Sequence, residues 1–293
     1  MSTRTPTQAE HHTERSLFAR LIDDAAVFPP GSAAVDTAVS DYLARRRGPY
    51  ADLVGPLLIP ASAAAQLLEV MGQTPVRRPL PVVLIARPGT SLDQVEIALS
   101  ILRGTGGITL VGLEVAHQPD WSHALRHDLP LAVEVGRDPQ GQRAALASLA
   151  SATDQSVDLR AKLRTQSAGD LPPPTAQELA GFLLGCLRLD LPFKLTGGLH
   201  HAVARTVDLP DGRTEEQHGA LNVLLATHRG MTGHEVDDLV ETLLVRDPDT
   251  LVESLSALTD EEVGATRSRF TSYGCCGVLD PVGEFHELGL IGD

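Results

Sequence analysis

The sequence predicts an α/β chain whose parallel strands close into a (β/α)8 barrel of the TIM type, with a helical N-terminal extension. Three observations lead there. From Leu53 onward, short β-forming runs alternate with longer segments of helical period, at about 25–35 residues per unit. Eight strand candidates fit into 293 residues, a length that suits one such barrel as well as two modest domains. The glycine fingerprint of an open dinucleotide-binding sheet is missing, because Gly104-Thr105-Gly106-Gly107 precedes a strand instead of following one.

The elements follow in order. Residues 1–16 are polar, lack the apolar core of a signal peptide and are expected to be a disordered leader. Residues 17–52 form the expected extension: Leu17 to Ala26 has helical spacing and stops at Phe28-Pro29-Pro30-Gly31, and a second helix covers Val35 to Arg47. The barrel is expected over 53–293. Its strands are Leu53 to Ile59, Pro81 to Arg87, Ile108 to Val115, Leu131 to Val135, Leu159 to Thr165 and Pro192 to Gly198, with helices at Ala61 to Met71, Leu92 to Leu102 and Thr175 to Leu189 between them. Ala220 to Thr227 is counted as the seventh strand, although a short apolar run fits a buried helix equally well. Val236 to Val245 reads as an amphipathic helix and Phe270 to Val278 as the last strand.

Composition narrows the function. A formal charge of −14 argues against nucleic acid as a partner, and no apolar run is long enough for a membrane span. Cys186, Cys275 and Cys276 are too few for a disulfide framework, which fits a reducing cytoplasm. Among the 24 basic residues there are only two lysines, Lys162 and Lys194.

Alternation in the strands shows what faces inward. Glu114 and Glu134 stand on the face opposite their aliphatic neighbours, Lys162 and Arg164 share a face, and so do Lys194 and Thr196. If Ala220 to Thr227 is a strand, Asn222 joins them. Four successive strands thus turn Glu, Glu, Lys and Lys toward one interior. A structural ion-pair network is one reading, since buried charges must be paired. Arginine, which this chain uses everywhere else, would pair two carboxylates at least as well. What lysine alone offers is an amine that can lose its proton and attack a carbonyl.

The segments Ala161-Lys162-Leu163-Arg164-Thr165 and Phe193-Lys194-Leu195-Thr196-Gly197-Gly198 resemble the paired lysine strands of deoxyribose-phosphate aldolases and related class I aldolases. Gln166 and Ser167 stand where that family has a glycine, and Arg164 where it has a small hydroxyl residue. The resemblance implies that one lysine forms a Schiff base, that the second lowers its pKa, and that the Gly-Gly turn helps bind phosphate. The phrases FKLTGGLHH, HGALNVLLAT and SYGCCGVLDPV resemble an uncharacterised bacterial TIM-barrel family, which implies no activity.

The expected function is therefore a Schiff-base lyase or isomerase acting on a small carbonyl compound, phosphorylated or not, with no cofactor. Lys162 is the nucleophile and Lys194 its neighbour, although sequence does not decide between them. Glu134 or Glu114 moves the proton. Arg164, Thr196, Gly197, Gly198, His200, His201 and Asn222 are the substrate-binding candidates, the two glycines through backbone N–H groups offered to an anion. One alternative is a divalent metal held by Glu114, Glu134 and His200 or His201 in a metal-dependent lyase or hydrolase. Another is a non-catalytic anion-binding barrel. Cys275-Cys276, between Gly274 and Gly277, mark a reactive thiol or a weak zinc site, and Asp23-Asp24 either cap the barrel floor or reach over its mouth.

Overall fold

The computed structural model describes residues 16–153, 158–167, 171–209 and 212–292. The expected leader lies almost wholly outside them. Eight parallel strands close a barrel: β1 (Ile22–Asp24), β2 (Val54–Pro60), β3 (Leu80–Ile85), β4 (Ile108–Ala116), β5 (Leu131–Glu134), β6 (Leu159–Arg164), β7 (Phe193–Thr196) and β10 (Phe270–Cys275). The ring closes where β1 pairs with both β10 and β2.

The barrel fold is as expected, but one of its strands was not expected and one expected strand is a helix. The segment Leu17 to Ala26 is not one helix. Its middle, Ile22–Asp24, is the first barrel strand, so the barrel begins well before Leu53. The extension then reduces to α1 (Val35–Arg45), which packs outside the barrel as its first helix. Asp24 fixes it there: the buried carboxylate takes the Arg45 guanidinium and the Ala26 N–H, while Tyr42 donates to the Gly55 carbonyl on β2 at 2.7 Å. Burial raises the Asp24 pKa, and Arg45 only partly offsets it.

Ala220 to Thr227, counted as a strand, lies in the helix α6 (Ala220–Met231). The other helices are α2 (Ala64–Gln73), α3 (Leu92–Arg103), α4 (Pro139–Ala150), α5 (Ala176–Arg188), α7 (Val236–Leu244), α8 (Pro248–Ser256), α9 (Asp260–Arg269) and α10 (Leu279–Glu287). Local chemistry sets several starts. Ser91 with Gln94, Thr175 with Glu178 and Thr259 with Glu262 form capping boxes, and Asp138 and Asp247 cap helices whose first residue is proline.

The connection from β7 to β10 is enlarged. It carries an antiparallel hairpin, β8 (Arg205–Asp208) with β9 (Thr214–Gln217), and then α6 to α9. Helix α6 contacts α5, α7, α8 and α9, and every residue from Ala220 to Thr227 is buried. A helix enclosed on all sides has no polar face, which is why its sequence shows no helical period.

Asn222 is therefore corrected as well. It is wholly buried in α6, with Nδ2 donating to the carbonyls of Thr242 (3.0 Å) and Val245 (2.8 Å) and Oδ1 accepting from the Ala204 N–H (2.9 Å). It staples the insertion and binds no substrate inside the barrel. Asn222→Ala leaves the Ala204 N–H and the Val245 carbonyl without this partner, while the Thr242 carbonyl keeps the Val245 N–H, so a loss of about 1–3 kcal/mol is expected in urea-unfolding measurements.

Candidate active site

The polar interior is one chain of alternating charge. Arg164 Nε lies 3.1 Å from Glu134 Oε1, and Glu134 Oε2 lies 2.9 Å from Lys162 Nζ. Lys162 Nζ is 2.7 Å from Glu114 Oε2, and Glu114 Oε1 is 2.5 Å from Lys194 Nζ. Lys194 also donates to Asp23 Oδ2 at 2.6 Å, and Ser272 donates to the same oxygen at 2.8 Å. Three carboxylates thus meet three cations, drawn from β1, β4, β5, β6 and β7. Parallel register brings them together: Lys162 is opposite Lys194 on one side and Glu134 on the other, and Arg164 is opposite Thr196.

The two lysines are held differently. Lys194 makes aligned hydrogen bonds to both of its carboxylates. The Lys162 amine is instead shared between Glu114 Oε2 at 2.7 Å and Glu134 Oε2 at 2.9 Å. Burial alone disfavours the Glu114 carboxylate, but Lys162 and Lys194 outweigh it and hold its pKa at about 2. Glu134 is lowered in the same way, burial being outweighed by Lys162 and Arg164. Lys194 is raised, because Asp23 and Glu114 overcome the cost of burying its ammonium. Glu114 therefore interposes a negative charge between two amines that the sequence set directly against each other.

Two cavities meet this chain from opposite ends. At the C-terminal ends of the strands, a mouth of about 540 Å³ is lined by Glu114, Glu134, Lys162, Arg164, Thr196 and Gly197, with Phe28, Arg87 and Cys276 on its rim. Lys194 and Asp23 instead line a cavity of about 340 Å³ at the N-terminal ends, with Arg20, Arg160 and Arg267. Three Arg267 nitrogen bonds there end on the backbone carbonyls of Ala19, Phe270 and Thr271. Glu114 reaches both cavities.

The turn after β7 is tightly built. Gly197, Gly198 and Leu199 all have left-handed backbone, with φ of +69°, +69° and +52°. A Cβ on Gly197 would sit 2.4 Å from Gln166 Oε1, so that position needs glycine on two counts. Its N–H donates to the Gly274 carbonyl at 3.0 Å and is thereby taken from any anion. The turn delivers His200 and His201 to α10. His200 Nδ1 lies 3.0 Å from Asp280 Oδ2, and His201 Nδ1 lies 2.9 Å from Glu284 Oε1. His200 and His201 thus have partners other than Glu114 and Glu134, and among the described residues no group of three or more His, Cys, Asp or Glu side chains is placed to hold a metal ion.

Asp23 is the interior residue that sequence reasoning left between floor and mouth: it lines the cavity at the barrel floor and ends the charge chain there. A three-residue strand is too short to display alternation. Ser272 and Arg87 were also missed, and for these no local signal exists. Among the described residues no helix is long and apolar enough to cross a membrane.

Comparison with protein-family models and with curated proteins finds no match for this chain.

Proposed function

We propose that the protein is a lyase or isomerase that forms an imine between Lys162 and a small carbonyl compound bearing an anionic group. The fold is compatible with either activity. The observation that carries the reading is the position of Lys162: its amine stands at the base of the C-terminal mouth between two carboxylates, whereas Lys194 opens only toward the other end. Chemistry in barrel enzymes sits at the C-terminal face, so Lys162 is the nucleophile of the two.

In this reading the amine must lose its proton before it attacks, and Glu134, 19% exposed against 2% for Glu114, relays that proton toward the mouth without retaining it, since Lys162 and Arg164 hold its pKa low. Neutral Lys162 then attacks the carbonyl carbon, and the hydroxyl leaves as water from the carbinolamine. The protonated imine is the electron sink for the carbanion formed when the adjacent carbon–carbon or carbon–hydrogen bond breaks. Glu114 stays ionised and balances Lys194. Arg164 and Arg87, on the same rim, meet the anionic end of the substrate.

The test is borohydride reduction in the presence of a panel of small aldehydes, keto acids and sugar phosphates, read by intact mass and peptide mapping. A reduced adduct at Lys162, abolished in Lys162→Arg, is the expected result. Arginine keeps the charge between Glu114 and Glu134 but forms no imine, and urea unfolding of the variant checks that the larger side chain is accommodated. Adducts confined to Lys194, or undiminished turnover of an identified substrate by Lys162→Arg, overturn the reading. A barrel that binds the compounds without any adduct or turnover is the non-catalytic alternative.

A further inference from the structure

The loop after β7 and the loop after β10 bring a second set of reactive groups to the rim of the mouth. Cys276 Sγ lies 3.5 Å from His200 Nε2, and the other ring nitrogen, Nδ1, lies 3.0 Å from Asp280 Oδ2. One imidazole thus touches a thiol on one side and a carboxylate on the other, the arrangement that activates a cysteine nucleophile. We propose that Cys276, His200 and Asp280 form a nucleophilic centre for acyl transfer, taking the acyl group of a small activated ester or thioester that enters the mouth. The inference is independent of imine chemistry at Lys162.

Position favours Cys276 over the other two cysteines. Cys186 and Cys275 are buried, whereas Cys276 is partly exposed and faces the mouth cavity. His200 faces an adjoining groove that shares Pro29, Gln166 and Ser167 with that cavity, so the pair stands where the two spaces join. Close packing defines the setting. A Cβ on Gly31 would lie 3.0 Å from Cys276 Cβ, and one on Gly277 would lie 2.1 Å from Asp280 Oδ2.

Charge follows the geometry. Burial raises the Cys276 pKa, but the hydrogen bond with His200 and the backbone N–H groups of Gly31 and Cys276 outweigh it and lower the thiol. His200 is raised to about 11 by its hydrogen bonds to the sulfurs of Cys275 and Cys276, with Asp280 adding to the effect. Cys275 also reaches His200 Nδ1, at 3.6 Å, but burial raises its own thiol. The other charged groups lining the mouth with Cys276 are Arg87, Glu114, Glu134, Lys162 and Arg164.

The step balances without a redox partner. The Cys276 thiolate attacks the acyl carbon, an S–C bond forms, and the bond to the leaving alkoxide or thiolate breaks as His200 gives it the Nε2 proton. Water then attacks the thioester while His200 takes its proton, the C–S bond breaks, and acid and thiolate are released.

The experiment uses the full chain with two probes. p-Nitrophenyl acetate is expected to release p-nitrophenol and, quenched in acid within the first turnover, to leave one acetyl group on Cys276, located by peptide mapping, with none on Cys186 or Cys275. Iodoacetamide is expected to alkylate Cys276 near pH 6, with a rate about tenfold lower in His200→Gln and similar near pH 9, where an unassisted thiol ionises by itself. The recovery near pH 9 shows that the variant still folds around an accessible cysteine. An alkylation profile unchanged by His200→Gln overturns the activated pair. Acetyl on Lys162 but not on Cys276, or alkylation of Cys276 without acetylation, overturns the acyl-transfer step.

Discussion

Lys194→Met is expected to lower the free energy of unfolding by about 3–5 kcal/mol, the cost of removing one partner from a buried ion pair. Lys194 is 3% exposed and donates to Asp23 at 2.6 Å and to Glu114 at 2.5 Å. Methionine fills much of the same volume, so the loss is electrostatic rather than a cavity effect. Two carboxylates are stranded in its place. Asp23 keeps only the Ser272 hydroxyl among these partners, and Glu114 keeps only Lys162, which it shares with Glu134. Urea unfolding with an unchanged slope against denaturant is the measurement. Adding Asp23→Asn to Lys194→Met should recover part of the loss, because a neutral amide needs no counter-charge. A loss below about 1 kcal/mol would mean that water screens the pair as it does at a surface.

That buried chain was legible in the sequence to the extent that its members sit on ordinary strands. In β4 to β7 each charged residue interrupts an aliphatic alternation, so Glu114, Glu134, Lys162 and Lys194 can be turned inward from spacing alone. Asp23 belongs to the same set but stands in a strand of three residues, all of them buried, where no alternation exists to be read. The nearby Leu17, Phe18 and Leu21 are buried too, and their spacing imitates a helix. In α6 the error runs the other way. Burial on every face removes the period that separates helix from strand, and the eight-strand count still came out right because one strand was gained as another was lost.

The rim of the mouth was legible only in fragments. The glycines after Lys194 signalled a turn, and three successive left-handed residues occur there, but no local pattern reveals that Gly197 spends its N–H on Gly274. Cys276 and His200 are 76 residues apart in sequence, and Arg87 comes from a third loop. Their meeting depends on barrel closure, which sets the ends of β3, β7 and β10 around one cavity. Residue spacing carries no record of that.

Acidification should remove stability through the same interior. The Glu114 pKa is held at about 2 against an ordinary 4.5, a difference that corresponds to about 3 kcal/mol in favour of the folded state at neutral pH. Between those two values the unfolded chain binds the proton and the folded chain does not, so stability falls as pH drops through that window. Glu134, also lowered, adds to the slope with the same sign. Asp24 opposes both, since its raised pKa makes the folded chain the better proton acceptor. Lys194 contributes nothing to the acid limb: its raised pKa gives stability that is complete below 10.5 and is lost only at higher pH. Urea unfolding at a series of pH values should therefore show a fall below about pH 4.5, separate from the slope that the histidines set nearer neutrality. Glu114→Gln isolates the cause, because glutamine keeps the shape but cannot titrate, so the variant should start less stable at pH 7 and lose less between pH 4.5 and 2. Parallel acid limbs in the two proteins would show that Glu114 is not held ionised by its lysines, and would remove the electrostatic basis for assigning it the balancing role beside Lys194.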